Sequence, residues 1–264
     1  MSPAARPVAL TIAGSDPSGG AGIQADLKTF HQFGVYGEAV ITLLTVQNTV
    51  CVDRVECMDA SLVVEQLRAV LEDIPPQAGK TGSLGNRAIV EAVAAEARSF
   101  SFPLVVDPVM LSKHGARLLD EDAARAMREK LLDCTFLLTP NIHEAEALSG
   151  VRIDSLDDAR RAAARLAEMG PKAVLVKGGH LGARADDLLY HEGQYFEYHS
   201  PRIDTPHTHG TGCTYSAAIT AELARGTALP EAVARAKAFI QAAIASNPGL
   251  GRGHGPVNHH APPR

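Results

Sequence analysis

A glycine-rich turn directly before a helix-like segment is the strongest chemical signal in this sequence. The turn is His209-Gly210-Thr211-Gly212-Cys213-Thr214, and a stretch with helical apolar periodicity follows it. Glycines let backbone N–H groups approach an anion closely, and the positive end of the helix dipole favours negative charge at the same place. The turn therefore predicts a phosphate site, although a glycine-rich helix start capped by a threonine would give the same residues.

Cys213 lies in the first turn of this helix. The N–H groups and dipole at a helix start lower the pKa of a thiol and favour the thiolate. A partly ionised thiol beside a transferring phosphoryl group could accept the proton of an alcohol. The alternative is that Cys213 is a small buried hydrophobic residue. The hydroxyl groups of Thr214 and Ser216 could serve only as helix caps.

A second glycine-rich stretch follows the first apolar strand-like run. It spans Ala13–Gly22, contains no lysine, and does not follow the spacing of a P-loop or of a dinucleotide-binding motif. Both of those sites are therefore excluded. Asp26 comes one helical turn later, where it could face a pocket or could be an exposed helical carboxylate.

Hard oxygen ligands follow two other buried runs. Asp107 begins the segment Asp107-Pro108-Val109-Met110, and Asn141 and Glu144 follow the next strand-like run. Such ligands suit Mg²⁺ that is held mostly through water and substrate phosphates. Asn141 and Glu144 could equally be a helix cap and its capping box.

Two further polar positions end strand-like runs. Lys177, beside Gly178 and Gly179, is placed to meet a phosphate or to be a surface lysine. The turn Gln47-Asn48-Thr49 carries amides that can read the hydrogen-bonding edge of a heterocycle, although polar turn residues are as good an explanation.

The elements that must position these residues alternate along the chain. Short β-branched runs alternate with stretches of helical period, which predicts βαβ units around a mainly parallel sheet. The predicted strands are Val8–Ala13, Ala39–Val46, Ala78–Thr81, Leu104–Asp107, Phe136–Thr139 and Ala173–Lys177, with an edge hairpin of Asp186–Tyr190 and Gln194–Tyr198. The predicted helices are Ala21–Phe33, Ser61–Asp73, Asn86–Phe100, Thr211–Ala224 and Pro230–Ser246. Ligands bind outside the carboxyl ends of such strands, where we expect the polar residues to meet.

The composition is that of an ordinary globular protein. The chain has 264 residues, 45% of them hydrophobic and 21% charged, with a formal net charge of −5. Lys and Arg are scattered, so we expect no nucleic-acid partner. The four cysteines have no Cys-x-x-Cys spacing, which argues against disulfides and a structural zinc site.

The chain shows no export signal and no apolar window near the roughly 18 residues of a membrane-spanning helix. We therefore expect a cytoplasmic protein with no membrane contact. The length, and the absence of a linker that would split the chain, predict one domain over residues 1–264. From Gly251 onwards we expect a loop or a frayed end.

Taken in order, these segments closely resemble the hydroxymethylpyrimidine and phosphomethylpyrimidine kinases of thiamine biosynthesis, which belong to the ribokinase-like superfamily. The resemblance runs from Leu10 to about Asn258. It is carried by the segments Leu10–Thr29, Gln47–Thr49, Asp107–Met110, Lys177–His180 and Thr208–Thr214. It implies a three-layer α/β/α fold, ATP and Mg²⁺ as cofactors, a homodimer, and two successive phosphorylations of a small pyrimidine.

The same resemblance implies roles for individual residues. Cys213 takes the place of the aspartate base of many sugar kinases in the superfamily, within the phosphate-holding segment Gly210, Thr211 and Gly212. The residues implied to line the substrate pocket are Gly14, Asp26, Gln47, Ser83 and Val109. The residues implied on the ATP side are Asn141, Lys177 and Thr208, with Asp107 and Glu144 at the metal.

One position departs from the family pattern and leaves the substrate open. Ser83 stands where members mostly carry Met, which weakens apolar packing over the substrate ring. A pyridoxine or pyridoxal kinase on the same scaffold is therefore an alternative, although Gln47 argues against it because that branch tends to have an apolar residue there. A non-catalytic nucleotide-binding relative is a second alternative.

Overall fold

The computed structural model describes residues 6–111, 113, 115, 118–178 and 185–263. In these ranges the strands are β1 Val8–Ser15, β2 Tyr36–Gln47, β3 Val52–Cys57, β4 Ala78–Thr81, β5 Leu104–Val106, β6 Leu137–Leu138, β7 Ala173–Lys177, β8 Asp187–His191 and β9 Gln194–Tyr198. They form one sheet of nine strands in the order β3-β2-β1-β4-β5-β6-β7-β8-β9. The six strands from β2 to β7 in that order are parallel, and the strands outside them are antiparallel. The mainly parallel sheet is confirmed.

Helices connect the strands and cover both faces of the sheet. They are α1 Gly22–Gln32, α2 Ala60–Asp73, α3 Arg87–Ala97, α4 Glu121–Ala126, α5 Ile142–Ser149, α6 Leu156–Ala167, α7 Thr211–Ala224 and α8 Leu229–Ala245. A wider helical turn at Met127–Leu131 and a tighter one at Leu132–Cys134 continue α4. Among the described helices, none combines the length and the apolar character needed to cross a lipid bilayer.

Adjacent residues of one strand face two separate hydrophobic cores, as the alternation of side chains in a strand requires. Leu10 and Val106 pack into the core under α2 to α6, whereas Ala9 and Val105 pack into the core under α1, α7 and α8. All four side chains are buried. The strands are therefore covered on both faces, and the predicted three-layer α/β/α architecture is confirmed.

The order of the strands reverses direction beside β1. The chain passes from β1 to β2 on one side and returns to β4 on the other side of β1. A reversal of this kind opens a crevice outside the carboxyl ends of the two strands, which is where ligands bind in open α/β sheets. Here those ends carry Gly14 and Ser15 in β1, and Gly82 and Ser83 just beyond β4.

Most predicted elements exist with small shifts of their ends, and four were missed. Strand β2 is longer than predicted, and the predicted edge hairpin is β8 and β9. The missed elements are β3, α4, α5 and α6, although the capping-box alternative at Asn141 and Glu144 places a helix start at α5. β3 has no buried side chain, so it lacks the apolar alternation that marks a strand. α6 does carry a helix signal, since Ser155 caps it and Asp157 and Asp158 lie in its first turn.

The segment after Gly251 contains no helix or strand up to residue 263, as predicted, but it does not fray. Val257 and Ala261 are each only 1% exposed. The backbone N–H of His254 donates to the carbonyl of Thr49 at 2.8 Å, and Gly255 accepts from the N–H of His209 at 3.0 Å. The segment therefore ties the loop after β2 to the loop before α7.

Candidate active site

A cavity of about 1230 Å³ opens at the carboxyl ends of the parallel strands. Every residue predicted for the site except Asp26 lines it. These residues are Gly14, Gln47, Ser83, Asp107, Val109, Asn141, Glu144, Lys177, Thr208, Gly210, Thr211, Gly212 and Cys213. Gly179 and His180, which belong to one of the quoted segments, lie outside the described residues.

Residues Gly210–Cys213, here called the anion turn, begin α7 without a side-chain cap. Gly210 is the N-cap residue, with φ at 76°, and no side chain in the described ranges bonds the first N–H groups of the helix. The Thr211 hydroxyl instead donates to the carbonyl of Thr208 at 2.8 Å. A threonine cap therefore does not explain this turn. Helix starts of this kind present N–H groups and a positive dipole end to an anion.

Two glycines of the anion turn are needed for space. A β-carbon on Gly210 would lie 1.7 Å from the carbonyl oxygen of Gly20, so only glycine permits this contact between the two loops. A β-carbon on Gly212 would lie 3.4 Å from Nζ of Lys177 and 3.6 Å from Oδ2 of Asp107. The absence of a side chain at Gly212 leaves room for an anion between the backbone and the lysine ammonium.

Lys177 is a charged group in a largely buried position at the end of β7. Its Nζ lies 3.0 Å from Oδ1 of Asp107. Burial lowers the pKa of Lys177, but the carboxylates of Asp107 and Glu144 raise it more, so the net pKa is above its ordinary value. Asp107 also accepts hydrogen bonds from the hydroxyls of Thr139 and Ser216, at 3.4 and 3.3 Å, which fix its carboxylate.

Asn141 and Glu144 form a capping box at the start of α5. The Asn141 side chain accepts from the N–H of Glu144 at 2.9 Å, and the Glu144 carboxylate accepts from the N–H of Asn141 at 2.9 Å. The helix-cap explanation is therefore correct for the local geometry, and both side chains also reach the cavity wall. Burial raises the pKa of Glu144 to about 7; Lys177 opposes this rise and Asp107 adds to it.

Cys213 lies near the starts of two helices, α7 and α1, yet its thiol is protonated at neutral pH. The backbone N–H of Gly22, at the start of α1, acts to lower the pKa of the Cys213 thiol. Burial nevertheless raises the pKa of the thiol to about 12, against the opposing effect of the Lys80 ammonium and with Asp26 and Asp107 adding to the rise. The expected lowering of this pKa is wrong, because loss of solvation outweighs the helix dipoles.

Asp26 is the predicted pocket residue that the structure places elsewhere. It is completely buried below the cavity, with Oδ2 2.8 Å from Nζ of Lys80 and 2.7 Å from the Thr11 hydroxyl. Lys80 is also fully buried. Burial raises the pKa of Asp26, and the Lys80 ammonium opposes that rise. The pair lies close enough to Cys213 to affect the charge of its thiol.

The opposite end of the cavity from Lys177 carries the ring-recognition candidates. Nε2 of Gln47 lies 3.3 Å from Nε2 of His209, which in turn lies 2.7 Å from Oδ2 of Asp16. Gly14 has no room for a side chain, because its β-carbon would lie 2.5 Å from the Leu43 side chain. These residues form a polar wall for a flat ring.

Part of the cavity wall could not be found from the sequence. A loop after β9 and one face of α8 close the end of the cavity near Lys177, with Pro201–Thr205, Ile240, Gln241 and Ile244. None of these residues carries a local motif, and α8 was predicted only as a helix that completes the fold. The apolar and polar mixture here suits a nucleotide base and its ribose.

The comparisons with known proteins agree with this geometry. The family model described as phosphomethylpyrimidine kinase matches residues 16–258. The hydroxymethylpyrimidine/phosphomethylpyrimidine kinase of Haemophilus influenzae is 48% identical, over 96% of this chain and 96% of that protein.

Two solved structures have the same fold. A phosphomethylpyrimidine kinase from Clostridium difficile is 42% identical, with a TM-score of 0.81 over 89% of this chain and 98% of that one. A pyridoxal kinase from Bacillus subtilis, solved as an ADP complex, is 39% identical, with a TM-score of 0.89 over 97% and 98%. On the extent of the model match and the identity to its relatives, the chain belongs to the phosphomethylpyrimidine kinase family.

Proposed function

We propose that this chain transfers a phosphoryl group from ATP to 4-amino-5-hydroxymethyl-2-methylpyrimidine, and then a second one to the resulting monophosphate, in thiamine biosynthesis. The observation that carries the proposal is the space above Gly212, which is bounded by the uncapped start of α7 and by the Lys177 ammonium. Family membership and the kinase name of the Haemophilus influenzae relative support it.

Phosphoryl transfer depends mainly on alignment and on neutralisation of charge in the transition state. In this proposal the N–H groups of the anion turn and Lys177 bind the transferred group, since donors fixed before the reaction need no reorganisation. The nucleotide occupies the cavity end formed by the loop after β9 and by α8. The ADP complex of the Bacillus subtilis relative, which shares the fold, supports ATP as donor.

Mg²⁺ fits the carboxylate pair on the cavity wall. Asp107 adds to the rise in the pKa of Glu144, so the two negative charges repel each other, and a cation between them would relieve this repulsion. We assign Asp107 and Glu144 to hold it, mostly through water and phosphate oxygens. When bound, it would neutralise phosphate charge. Within the described ranges no three His, Cys, Asp or Glu side chains group as a complete metal site.

Cys213 is proposed as the group that takes the proton of the alcohol. With a pKa of about 12 the thiol is protonated at rest, so it must first release its proton to water in the open cavity, and the resulting thiolate then accepts the proton of the alcohol. The Lys80 ammonium beneath it favours that loss. Cys213→Ala should bind ATP as before but turn over slowly or not at all. Wild-type rates in this variant would show that Cys213 does not accept the proton of the alcohol.

Pyridoxal phosphorylation is the second candidate, because the Bacillus subtilis structure of the same fold is a pyridoxal kinase. The amide of Gln47 on the cavity wall favours a pyrimidine, whose ring nitrogens and amino group offer it hydrogen bonds. Parallel assays of ADP release with the pyrimidine alcohol and with pyridoxal separate the two. We expect a higher kcat/KM for the pyrimidine, and a clear preference for pyridoxal would overturn the assignment.

The remaining alternative, a nucleotide-binding protein without turnover, predicts ATP binding with no ADP release from either alcohol. The same assays therefore test it.

We also propose that the chain acts as a cytoplasmic homodimer. Apolar side chains at the end of β2 and in the turn to β3 support the dimer, since Leu44, Val46 and Val50 are 45, 55 and 53% exposed. Analytical ultracentrifugation at micromolar concentration would show a single species of twice the chain mass.

A further inference from the structure

His209 joins three parts of the site, and its ring lies on the ring-recognition side of the cavity. It precedes the anion turn, it is only 3% exposed, and its Nε2 approaches both Asp16 and Gln47. Gly20 leaves the space for the ring, because a β-carbon there would lie 2.5 Å from Cδ2 of His209. The ring therefore has one defined position.

The Asp16 carboxylate determines which ring nitrogen of His209 carries a hydrogen. Its Oδ1 accepts from the N–H and the hydroxyl of Ser18, at 2.9 and 2.7 Å, and its Oδ2 accepts from the N–H of Ala21 at 2.9 Å. Burial raises the pKa of Asp16, but the hydrogen bonds of His209 and Ser18 lower it more, so it is a carboxylate that can only accept. The contact at 2.7 Å therefore requires a hydrogen on Nε2 of His209.

This proton has a consequence for Gln47. Its amide nitrogen lies 3.3 Å from the same Nε2, which would bring two donors together. A rotation of the amide by 180° places the carbonyl oxygen beside His209, where it shares the single Nε2–H with Asp16, and turns the NH₂ group to the other side, because the two ends of an amide have nearly the same shape. The amide then faces the cavity as a hydrogen-bond donor.

We propose that His209, held by Asp16, is a positioning residue that fixes the orientation of the Gln47 amide, so that Gln47 donates to an unprotonated ring nitrogen of the substrate. This inference rests on the proposed function. It assigns ring recognition to Asp16, His209 and Gln47 together rather than to Gln47 alone. The substrate class is then a heteroaromatic alcohol whose ring nitrogen carries a lone pair on the edge that faces Gln47.

The tautomer of His209 is measurable on the wild-type protein without turnover. Long-range ¹H–¹⁵N spectra of the ¹⁵N-labelled chain distinguish a protonated Nε2 from a free one, with His209→Gln identifying the signals by their loss. We expect a proton on Nε2 with and without the pyrimidine alcohol. A neutral ring protonated only on Nδ1 would overturn the proposal.

A double-mutant cycle tests the coupling, with binding of the pyrimidine alcohol measured by calorimetry. His209→Leu should weaken binding about 10-fold when Gln47 is present, or about 1.4 kcal/mol, and less than 3-fold in Gln47→Ala. His209→Gln, which keeps an N–H near the position of Nε2, should restore binding to within about 3-fold of wild type. Equal weakening in both backgrounds would show a merely structural role and overturn the proposal.

Substrate analogues test the direction of the hydrogen bond. Replacing one ring nitrogen of the pyrimidine by C–H should weaken binding to wild type about as much as Gln47→Ala weakens binding of the parent, for one of the two analogues. Unchanged binding of both analogues would contradict a donor at Gln47. Absence of ADP release would count against the proposed function alone, because the tautomer and the binding cycle are read without turnover.

Discussion

Nζ of Lys177 lies 3.0 Å from Oδ1 of Asp107, where β5 and β7 end beside the anion turn. The two side chains are 14% and 2% exposed, so little water screens the pair. The other side of the ammonium faces the space above Gly212. Asp107 thus holds the lysine in the one direction in which a phosphate could be bound by both the lysine and the helix start.

Replacement of Lys177 by Met should lower kcat/KM for ATP about 100-fold or more, or about 2.7 kcal/mol of transition-state stabilisation. The variant loses the ammonium and leaves the Asp107 carboxylate without its cation near the phosphates. An assay that couples ADP release to NADH oxidation measures this. Lys172→Met, an exposed lysine just before β7, is the matched control and should keep the wild-type rate. Equal rates in both variants would exclude Lys177 from phosphate binding.

The thiol of Cys213 lies on the cavity wall, but it should be inert to alkylation at neutral pH. Its pKa is about 12, so the thiolate fraction, and with it the rate of labelling by iodoacetamide, should rise about tenfold per pH unit between pH 8 and 10 without a plateau. Peptide mapping by mass spectrometry follows Cys213 separately from the other three cysteines. A plateau below pH 8 would instead indicate the low-pKa thiolate that the helix start alone predicts.

The C-terminal segment should affect the pyrimidine more than ATP. A β-carbon on Gly253 would lie 2.1 Å from the carbonyl oxygen of Thr49, so Gly253→Ala must displace the turn that follows Gln47. We expect KM for the pyrimidine alcohol to rise about tenfold, with KM for ATP within about twofold of wild type. Arg252→Ala, an exposed neighbour, should change neither. An equal rise in both KM values would point to a general loss of structure.

The residues predicted correctly for the cavity wall share one property: local sequence specifies them. Lys177 and Asp107 end buried strands, and the anion turn begins a helix, so each position follows from the pattern of its own element. Because parallel strands end at one edge, these positions had to converge. The sequence could not show the wall formed by Ile240 and Gln241, since their place depends on how α8 packs.

The two errors at the site have the same cause, which is burial imposed by distant residues. Asp26 was predicted to line the pocket, but Lys80 from β4 pairs with it in the protein interior. Nothing in the spacing within α1 indicates that partner. For Cys213 the helix dipole is a local feature that the sequence shows, whereas the loss of solvation that outweighs it arises from the packing of α1, α7 and β4.

Glu38 in β2 should make stability depend on pH. It is 7% exposed, its Oε2 has no hydrogen-bond partner among the described residues, and burial, with Asp73 adding to it, raises its pKa to about 7. The folded state thus prefers the protonated form. The stability that this preference contributes is present below the unfolded-state pKa of 4.5 and is lost as the pH rises through about 7.

Glu38→Gln should therefore raise Tm at pH 8 by about 2–4 °C, equivalent to about 1 kcal/mol for a chain of this size. At pH 4 the two proteins should melt together, because below the unfolded-state pKa of 4.5 the carboxyl is protonated in both the folded and the unfolded wild type. Differential scanning fluorimetry across this range measures the difference. Glu65→Gln, an exposed glutamate on α2, is the control and should show no pH-dependent gain. A constant difference at both pH values would contradict the titration of Glu38.

We propose that one cavity, with the nucleotide wall near Lys177 at one end, Gln47 at the other and the anion turn between them, phosphorylates a pyrimidine alcohol twice. The most direct measurement is the stoichiometry of ADP released per pyrimidine alcohol consumed, with the products identified by ³¹P NMR. We expect two ADP per pyrimidine and a diphosphate as the final product. No ADP release, or ADP release with pyridoxal but not with the pyrimidine, would contradict it.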